Sequence, residues 1–464
     1  MTPVLDETLT RDVLHAALSG GADFAEIYAE ERRSTSAQLD DGRVEDVATG
    51  TDRGAGVRAI AGEVTAYAFS NRMDRDALLE AAAASAAAAR GNAKRAVLDF
   101  TRAEPQVLHA PGEPAGGVAR ERKVAWLREA DDAARSHAPE VRQVVAGWGD
   151  SVQRVLIASS EGLWVQEERH RLRLVVQVVA GRGGILQTGF EGPAGLAGVE
   201  LLEAHPPAEV GVKAARQAVT MLGGVPAPAG EMAVVVGPAG GGVLFHEACG
   251  HGLEADTIGK EASIYRGRKG EVLASELVTG VDDSTEPNAW GSFSFDDEGS
   301  PAARTVLFDG GRLTGFLYDR YWASHDGAPT TGNGRRQSYA SLPIPRMTNT
   351  SILPGATDPE EIVADTRSGL YAKALGGGQV NPATGDFVFG VSEAYLIEDG
   401  EITRPARGAN LIGNGVTILR AVDAVGSDFD SRPGTCGKDG QGVPVTTGSP
   451  TLRIARMTVG GTGG

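Results

Sequence analysis

The sequence predicts an α+β protein with extensive antiparallel sheet, and three observations support that class. Polar and apolar residues alternate in many short segments, as they do in antiparallel strands that bury one face. Amphipathic or alanine-rich segments of helical length separate these strands. The 64 glycines among the 464 residues follow no regular period, which indicates many tight turns. A chain of this length is expected to form roughly three domains.

Residues 1–95 are predicted to form a small N-terminal α/β module with the element order α-β-β-β-β-α. The first helix is expected over residues 8–19, where apolar side chains recur on one side. Asp41 and Gly42 form a dipeptide that is typical of a hairpin turn. An alanine-rich helix over residues 74–89 closes the module. The four strands are expected at residues 25–31, 35–42, 56–64 and 66–70.

A linker with three prolines is expected over residues 96–116. The middle domain, residues 117–225, is predicted to be rich in antiparallel strands between residues 140 and 190 and to have a helix at each end. The C-terminal domain, residues 231–464, begins with an apolar strand and then becomes rich in loops and glycine. We expect it to be a β-rich catalytic domain, because it carries the only motif with readable chemistry.

Charge and cysteine content exclude several classes of protein. The 44 basic and 61 acidic residues give a net charge of −17, which argues against a nucleic-acid partner, since such proteins usually carry a basic excess or stripe. Only two cysteines, Cys249 and Cys436, are present, which excludes a disulfide-stapled scaffold and favours a reducing compartment. The sequence shows no signal-peptide pattern and no run of 18 apolar residues, so we expect a cytoplasmic protein without a membrane partner.

The segment that indicates chemistry contains His246, Glu247 and His251. A His-Glu pair followed by a second histidine is a local signature of zinc hydrolases. In the common form the two histidines are four residues apart and share one helix face. Here they are five apart, so a regular helix would place them about 140° from each other. Both can bind one ion only if the helix is bulged or broken, and Gly250 marks the expected position of that distortion.

A catalytic zinc ion needs a third protein ligand, and the sequence offers two candidates. Glu254 follows His251 by three residues and could supply a carboxylate. Cys436 is the better candidate, because it lies in a glycine-rich segment near Lys438, where a thiolate is favoured. Cys249 lies inside the motif but is expected to point away from both histidines and to pack as a small buried hydrophobe.

Spaced sequence blocks add a family resemblance to this motif. They comprise residues 20–26, 54–58, 246–256, 295–299, 331–336, 345–349 and 436–441. With these blocks in this order, the chain resembles the TldD/PmbA family of peptidases over most of its length. Within that family it is similar to the TldD-type catalytic branch, because the PmbA branch lacks the His-Glu motif. One departure is Ala255, where glycine would be expected before Asp256.

The resemblance implies a zinc metallopeptidase in which His246, His251 and Cys436 bind Zn²⁺ and Glu247 is the general base. It also implies that the substrates are unfolded or extended peptides, cleaved with broad specificity. The expected partner is a homologous PmbA-type subunit in a heterodimer, or a second copy of this chain in a homodimer. Two alternatives remain open: a non-catalytic modulator or binding subunit, and a zinc amidohydrolase that acts on small molecules.

Other polar residues have less specific interpretations. The cluster Asp296–Glu298 is a candidate for a substrate groove rather than for a second metal site, and adjacent carboxylates commonly pair with arginines. Arg335 and Arg336 are candidates for contacting a peptide carboxylate, with a structural role as the alternative. Three residues are candidates for stabilising an oxyanion, and the sequence does not choose among them: Tyr318, His325 and Tyr339.

Overall fold

A computed structural model of the chain describes residues 3–105 and 109–461, and in this part the predicted α+β class is confirmed. The strands form two eight-stranded sheets, one six-stranded sheet and a two-stranded ribbon within these residues. None of the helices described there combines the length and the apolar character that a bilayer crossing requires.

The first sheet is built by the N-terminal and middle regions. The elements up to residue 222 are α1 (Glu7–Leu18), β1 (Phe24–Asp40), β2 (Arg43–Ala61), β3 (Val64–Ser70), α2 (Arg75–Ala88), β4 (Thr101–Arg102), α3 (Arg120–His137), β5 (Val141–Ser159), β6 (Leu163–Arg182), β7 (Ile185–Glu191), β8 (Ala194–Gly195), α4 (Leu201–Ala204) and α5 (Pro207–Leu222). The strand order is β3-β2-β1-β5-β6-β4, and β7 and β8 also pair with β6. Because β1 pairs with β5 along most of its length, one sheet spans the predicted N-terminal and middle domains. The division at residues 1–95, 117–225 and 231–464 stays a prediction.

The prediction of four strands within residues 1–95 is wrong, since the region holds the three strands β1, β2 and β3. The segments 25–31 and 35–42 belong to one strand, β1, although polar residues between them interrupt the apolar pattern. The backbone continues as a strand there because it is hydrogen-bonded on both sides, to β2 and to β5. The predicted hairpin turn at Asp41 and Gly42 is confirmed, and both residues have positive φ angles, of 51° and 76°.

The C-terminal region forms the two other large sheets. Its elements are β9 (Val225–Pro226), β10 (Gly230–Val236), α6 (Gly240–Ala248), α7 (Ala255–Gly259), β11 (Gly280–Asp283), β12 (Arg304–Asp309), β13 (Arg312–Leu313), α8 (Arg320–Asp326), β14 (Gly334–Arg335), β15 (Ile344–Pro345), β16 (Asn349–Ile352), α9 (Pro359–Ala364), β17 (Ser368–Asn381), β18 (Asp386–Glu398), β19 (Glu401–Arg407), β20 (Asn410–Asn414), α10 (Gly415–Arg420), β21 (Val422–Val425), β22 (Asp430–Lys438), β23 (Gln441–Ser449) and β24 (Leu452–Gly460). One sheet has the order β17-β10-β24-β20-β18-β19-β9 and the other β13-β12-β11-β16-β23-β22. Strand β22 therefore lies at a sheet edge.

Helix α6 lies between these two sheets and carries the His-Glu motif. It packs against β17 of one sheet and against β16 and β23 of the other. A Cβ atom on Gly242 would lie 2.4 Å from the backbone nitrogen of Gly448 in β23, so only glycine allows the helix to approach the strand this closely. Leu244 and Phe245 of α6 are buried in the largest hydrophobic core of the described residues. These contacts fix the helix, and with it the motif, in the interior.

Candidate metal centre

The helix that carries the motif is broken between the two histidines. Helix α6 ends at Ala248, Cys249 takes a non-helical conformation with φ −137° and ψ −33°, and a 3₁₀ turn follows over Gly250–Leu253. The ring centroids of His246 and His251 lie 5.2 Å apart, with the ring planes 86° to each other. The predicted break is therefore confirmed, and it cancels the angular offset that a regular helix would impose.

Gly250 is the residue that allows the break. A Cβ atom at this position would lie 2.0 Å from the Sδ atom of Met347, which is itself fully buried. A side chain here would force the 3₁₀ turn away from the β15–β16 segment and would move His251 with it. The sequence predicts this position correctly, but the contact with Met347 becomes visible only in the fold.

Cys436 joins the two histidines from β22. Its Sγ atom lies 3.4 Å from Nε2 of His251, and one ligand atom from each of His246, His251 and Cys436 lies within 4.8 Å of the others. In a tetrahedral zinc site, bonds of about 2.3 Å to sulfur and about 2.05 Å to nitrogen separate those two atoms by about 3.5 Å. The three side chains thus have the spacing and the chemistry of a His₂Cys metal centre.

The protonation and hydrogen bonding of this cluster also fit a metal ion. Burial raises the pKa of the Cys436 thiol, but the imidazoles of His246 and His251 lower it by more. The pKa therefore falls well below its usual range. A metal ligand must be a thiolate, and this environment favours that form. Nδ1 of His246 is buried and has no hydrogen-bond partner among the described residues. The described protein atoms thus leave one nitrogen of this imidazole without a hydrogen bond.

Glu254, the alternative third ligand, lies behind His251 instead. Its Oε2 atom is 3.0 Å from Nδ1 of His251 and accepts a hydrogen bond from Nζ of Lys438 at 3.0 Å. Burial raises the pKa of Glu254, but Lys438 and His251 outweigh it and hold that pKa at about 2. A carboxylate on Nδ1 fixes the tautomer that leaves Nε2 facing Cys436, as commonly found behind metal-binding histidines.

The side chains of Lys438 and Arg346 position the segments that carry the candidate ligands. Nζ of Lys438 also donates to Oδ1 of Asp256 at 2.5 Å and so ties β22 to the segment after the motif. Nη2 of Arg346 donates to the backbone oxygen of Cys436 at 2.6 Å. Sequence reasoning missed the positioning roles of Glu254, Lys438 and Arg346. The spacing of Glu254 from His251 was an available signal, whereas Arg346 reaches Cys436 across 90 residues without any local signal.

Glu247 follows His246 on helix α6 and is half-buried. Its carboxylate forms no hydrogen bond or ion pair with any other described residue, unlike that of Glu254. It is therefore available to a ligand or to water. Cys249 is fully buried in the hydrophobic core, donates its thiol hydrogen to the oxygen of Phe245 at 3.0 Å and lies outside the metal cluster, as expected.

The acidic block at residues 296–298 has a structural role. Asp296 accepts hydrogen bonds from the backbone N–H groups of Glu298, Ser300 and Gly334. Asp297 forms an ion pair with Arg169 at 2.7 Å and Glu298 forms one with Arg58 at 2.6 Å. Pairing with arginines, the alternative to a groove, is therefore what the structure contains.

The two arginines and the three oxyanion candidates from the sequence lie outside the metal cluster. Arg336 is buried and pairs with Glu26 at 2.7 Å, so it is engaged structurally. Arg335 donates to the carbonyl oxygens of Met347 and Pro444, lies over the ring of Phe293 and forms no ion pair with a described residue. The three oxyanion candidates bond to other side chains: Tyr318 and His325 to Asp326, and Tyr339 to Asp52. None of the three belongs to the metal cluster.

Comparison with known proteins places this geometry in a family. Models of the PmbA/TldA metallopeptidase match the chain in three parts: domain 1 over residues 25–89, the central domain over 113–222 and the C-terminal domain over 229–461. A metalloprotease TldD homolog of Haemophilus influenzae is 39% identical over 95% of this chain and 93% of its own length. A metalloprotease of Methanothermobacter thermautotrophicus is 35% identical over 95% of this chain and 96% of its own length.

Solved structures show the same fold at lower identity. A putative modulator of a DNA gyrase from Thermotoga maritima matches with a TM-score of 0.81 at 20% identity, covering 98% of this chain and 100% of that one. TldE from Thermococcus kodakarensis matches with a TM-score of 0.78 at 21% identity, covering 97% and 99% of the two chains. At this identity the likeness establishes the fold alone. The matches to the two metalloproteases extend over nearly the full length at more than 30% identity. They show that this chain belongs to the PmbA/TldD family of metallopeptidases.

Proposed function

We propose that this chain is a zinc-dependent peptidase in which His246, His251 and Cys436 bind the ion and Glu247 is the general base. The observation that carries the proposal is the convergence of two imidazoles and a thiol, together with an unpartnered carboxylate on Glu247, the residue next to His246 in the sequence. Two nitrogen ligands and one sulfur ligand suit zinc, and three protein ligands leave a fourth position open, as in catalytic sites. One relative, from Saccharolobus solfataricus, is named a zinc metalloprotease.

The roles of the residues follow from their positions. A zinc ion in such a site supplies Lewis acidity and lowers the pKa of water toward about 7. Glu247 accepts the proton of the attacking water and delivers it to the leaving amine, a role that typically contributes about 10²- to 10⁴-fold in rate. Glu254 holds His251 in one tautomer, and Lys438 keeps Glu254 ionised. The thiolate ligand also makes the centre sensitive to oxidation.

We further propose that the substrates are unfolded or extended peptides. Strand β22, which carries Cys436, is an edge strand that pairs only with β23 in the described part of the chain. An extended peptide can add to such an edge through main-chain hydrogen bonds, and this mode depends little on side-chain identity. Addition to β22 would bring a peptide bond next to the metal cluster and would account for broad specificity.

We propose that the chain acts with a homologous PmbA-type subunit, or as a homodimer. The support is the fold shared with TldE from Thermococcus kodakarensis and the family to which both belong. The intact ligand set and the free carboxylate of Glu247 favour the catalytic role over that of a modulator subunit, which would need neither.

The test measures zinc content and cleavage of an unfolded protein such as reduced casein, with and without a co-expressed PmbA-type chain. We expect about one zinc per wild-type chain. Glu247→Gln should keep the zinc and lose cleavage, and Cys436→Ala should lose both. Cys249→Ala is the matched control, because this buried cysteine lies outside the cluster, and it should keep both.

Two outcomes would contradict the proposal. Zinc bound by Cys436→Ala with wild-type affinity would remove Cys436 from the ligand set. Cleavage by Glu247→Gln at the wild-type rate would remove Glu247 as the general base. If the zinc-loaded wild type with its partner cleaves no peptide but hydrolyses small amides, the amidohydrolase alternative is correct.

A further inference from the structure

A polar cavity separate from the metal cluster lies next to the hairpin that carries Cys436. It has a volume of about 220 Å³ and lies between strands β5 and β6 of the first sheet, the segment after β14 and the hairpin β22–β23. Thr435 lines it, directly before Cys436 in β22. Because successive side chains in a strand point to opposite faces, the side chains of Thr435 and Cys436 point to opposite faces of β22. The cavity is thus close to the proposed site of cleavage but separate from the metal cluster.

The cavity carries a concentrated positive charge in a chain whose net charge is −17. Five arginines line it, and Asp297 is the one carboxylate among the described lining residues. The arginines are Arg32, Arg169, Arg171, Arg335 and Arg336. Three of them form ion pairs with carboxylates, whereas Arg171 and Arg335 form none within the described residues.

The two arginines without ion pairs are also deeply buried. Arg171 is 7% exposed and Arg335 is 3% exposed. Nη1 of Arg171 donates to Oε1 of Gln153 at 3.2 Å, and Arg335 donates to the backbone oxygens of Met347 and Pro444. Burial and the neighbouring Arg169 and Arg335 lower the pKa of Arg171 to about 9. A buried guanidinium without a counter-ion is unfavourable unless an anion reaches it.

The hydrogen-bonding capacity that remains unused around the cavity consists of donors. Nε of Arg171, Nε of Arg336 and Nε1 of Trp290 are buried and have no partner among the described residues. Buried polar groups in folded proteins are rarely left unpaired, so an acceptor that reached these atoms would be stabilised. All three groups donate, and a planar guanidinium binds a carboxylate with two parallel hydrogen bonds.

We propose that this cavity binds a carboxylate group of the peptide substrate. The assignment to a peptide rests on the proposed peptidase function, while the assignment to a carboxylate rests on the arginines and the orphan donors. The volume holds one carboxylate and its neighbouring atoms rather than a folded segment, since a single water occupies about 30 Å³. The mouth is lined by Thr435 and Gln337, which are exposed, so a peptide lying along β22 could reach it. The carboxylate is the peptide's C-terminus or an acidic side chain near the cleaved bond.

Fluorescence anisotropy with labelled peptides tests the proposal on the zinc-loaded Glu247→Gln chain with its partner, which binds without cleaving. One pair of peptides has a free or an amidated C-terminus, and a second, amidated pair has an internal glutamate or glutamine. We expect the carboxylate form of one pair to bind about tenfold more tightly than its neutral form. The first pair identifies a C-terminal carboxylate and the second an acidic side chain. Equal affinities in both pairs would overturn the proposal.

Two variants locate the effect. Arg171→Gln should reduce the preference to within about twofold, and Arg173→Gln, on the same strand but outside the cavity, should leave it intact. Trp290→Phe keeps the aromatic ring, removes one donor and should weaken the preference several-fold. A preference that survives both Arg171→Gln and Trp290→Phe would place the carboxylate elsewhere.

A binding measurement that does not depend on cleavage distinguishes the cavity proposal from the proposed peptidase function. Succinate should raise the melting temperature of the wild-type chain and leave that of Arg171→Gln unchanged. If succinate stabilises the wild type but neither peptide pair discriminates, a free small carboxylate is the ligand and the substrate assignment is wrong. If a neutral amidated peptide is cleaved and no carboxylate binds, the cavity proposal fails while the proposed function stands.

Discussion

Two buried polar clusters in this molecule differ in how far their ionisable groups are paired with opposite charges. In the metal cluster, two imidazoles and a thiol converge, Nδ1 of His246 has no partner in the described residues, and Glu247 is free. In the ion-pair network, defined as Glu26, Arg58, Arg169, Asp297, Glu298 and Arg336, each charge faces an opposite charge within 2.6 to 2.8 Å. In the first arrangement the carboxylate of Glu247 has no partner among the described residues, whereas in the second every charge is already paired with an opposite charge. Unused binding capacity, rather than polarity, is what distinguishes the candidate site.

The largest expected effect on stability comes from breaking the ion-pair network. Arg58 is 1% exposed and pairs with Glu26 at 2.8 Å and with Glu298 at 2.6 Å. Arg58→Met leaves Glu298 buried without its counter-ion, so we expect a loss of about 3–5 kcal/mol in the free energy of unfolding. Denaturant unfolding measures it. Arg456→Met, which breaks an exposed pair with Glu231, is the control and should leave the free energy of unfolding almost unchanged, because solvent screens an exposed pair.

The same variant should leave the metal centre intact. We expect folded Arg58→Met to bind zinc as the wild type does, because no residue of the network forms a hydrogen bond or ion pair with His246, His251 or Cys436 in the described structure. A loss of zinc from the folded variant would show that the two clusters are coupled and would break the comparison.

The second prediction concerns the support behind the metal ligands. Glu254→Gln removes the charge that pairs with His251 and Lys438 and leaves Lys438 with Asp256 alone as an ion-pair partner. Loss of such a supporting carboxylate typically weakens metal binding by about 10- to 100-fold, and we expect that range here. Competition with a zinc chelator measures the affinity. Glu261→Gln changes an exposed glutamate near the same segment and should have no effect. An unchanged affinity in Glu254→Gln would mean that the fold alone orients His251.

The third prediction concerns the helix break. Gly250→Ala places a Cβ atom against Sδ of Met347, and overpacking of this kind typically costs about 1–3 kcal/mol. We expect lower zinc affinity as well, because His251 follows directly. Gly437→Ala is the matched control: it lies next to the other ligand, Cys436, but its Cβ atom would meet nothing within 4 Å. Equal zinc affinity in the two variants would show that the 3₁₀ turn can shift without moving His251.

The sequence allowed the metal cluster to be predicted better than the fold around it. His246, Glu247 and His251 lie in one segment, and their five-residue spacing required the break that the structure contains. The boundaries of the long strands were harder to predict from the sequence. A polar stretch within β1 has the composition of a loop, but it remains a strand because it is hydrogen-bonded to both β2 and β5. The ion-pair network was inaccessible for a related reason. Glu298 and its partner Arg58 are 240 residues apart, and no local sequence pattern indicates that the two form an ion pair.

The smallest expected effect tests whether an unneutralised charge alone is enough to mark a site. Glu286 is half-buried, its carboxylate forms no hydrogen bond or ion pair with described residues, and burial together with Asp283 and Asp282 raises its pKa to about 7. A folded-state pKa above the unfolded value means that its contribution to stability is complete below about pH 4.5 and is lost as the pH rises through about 7. Glu286→Gln should flatten the pH dependence of stability between these values, with a difference on the order of 1 kcal/mol because the group is partly solvated. Thermal unfolding at a series of pH values measures it, with Glu276→Gln as the control. Cleavage by this variant should equal that of the wild type, since Glu286 does not adjoin a candidate metal ligand as Glu247 adjoins His246. A loss of cleavage would show that a charge away from these ligands can also mark a functional residue.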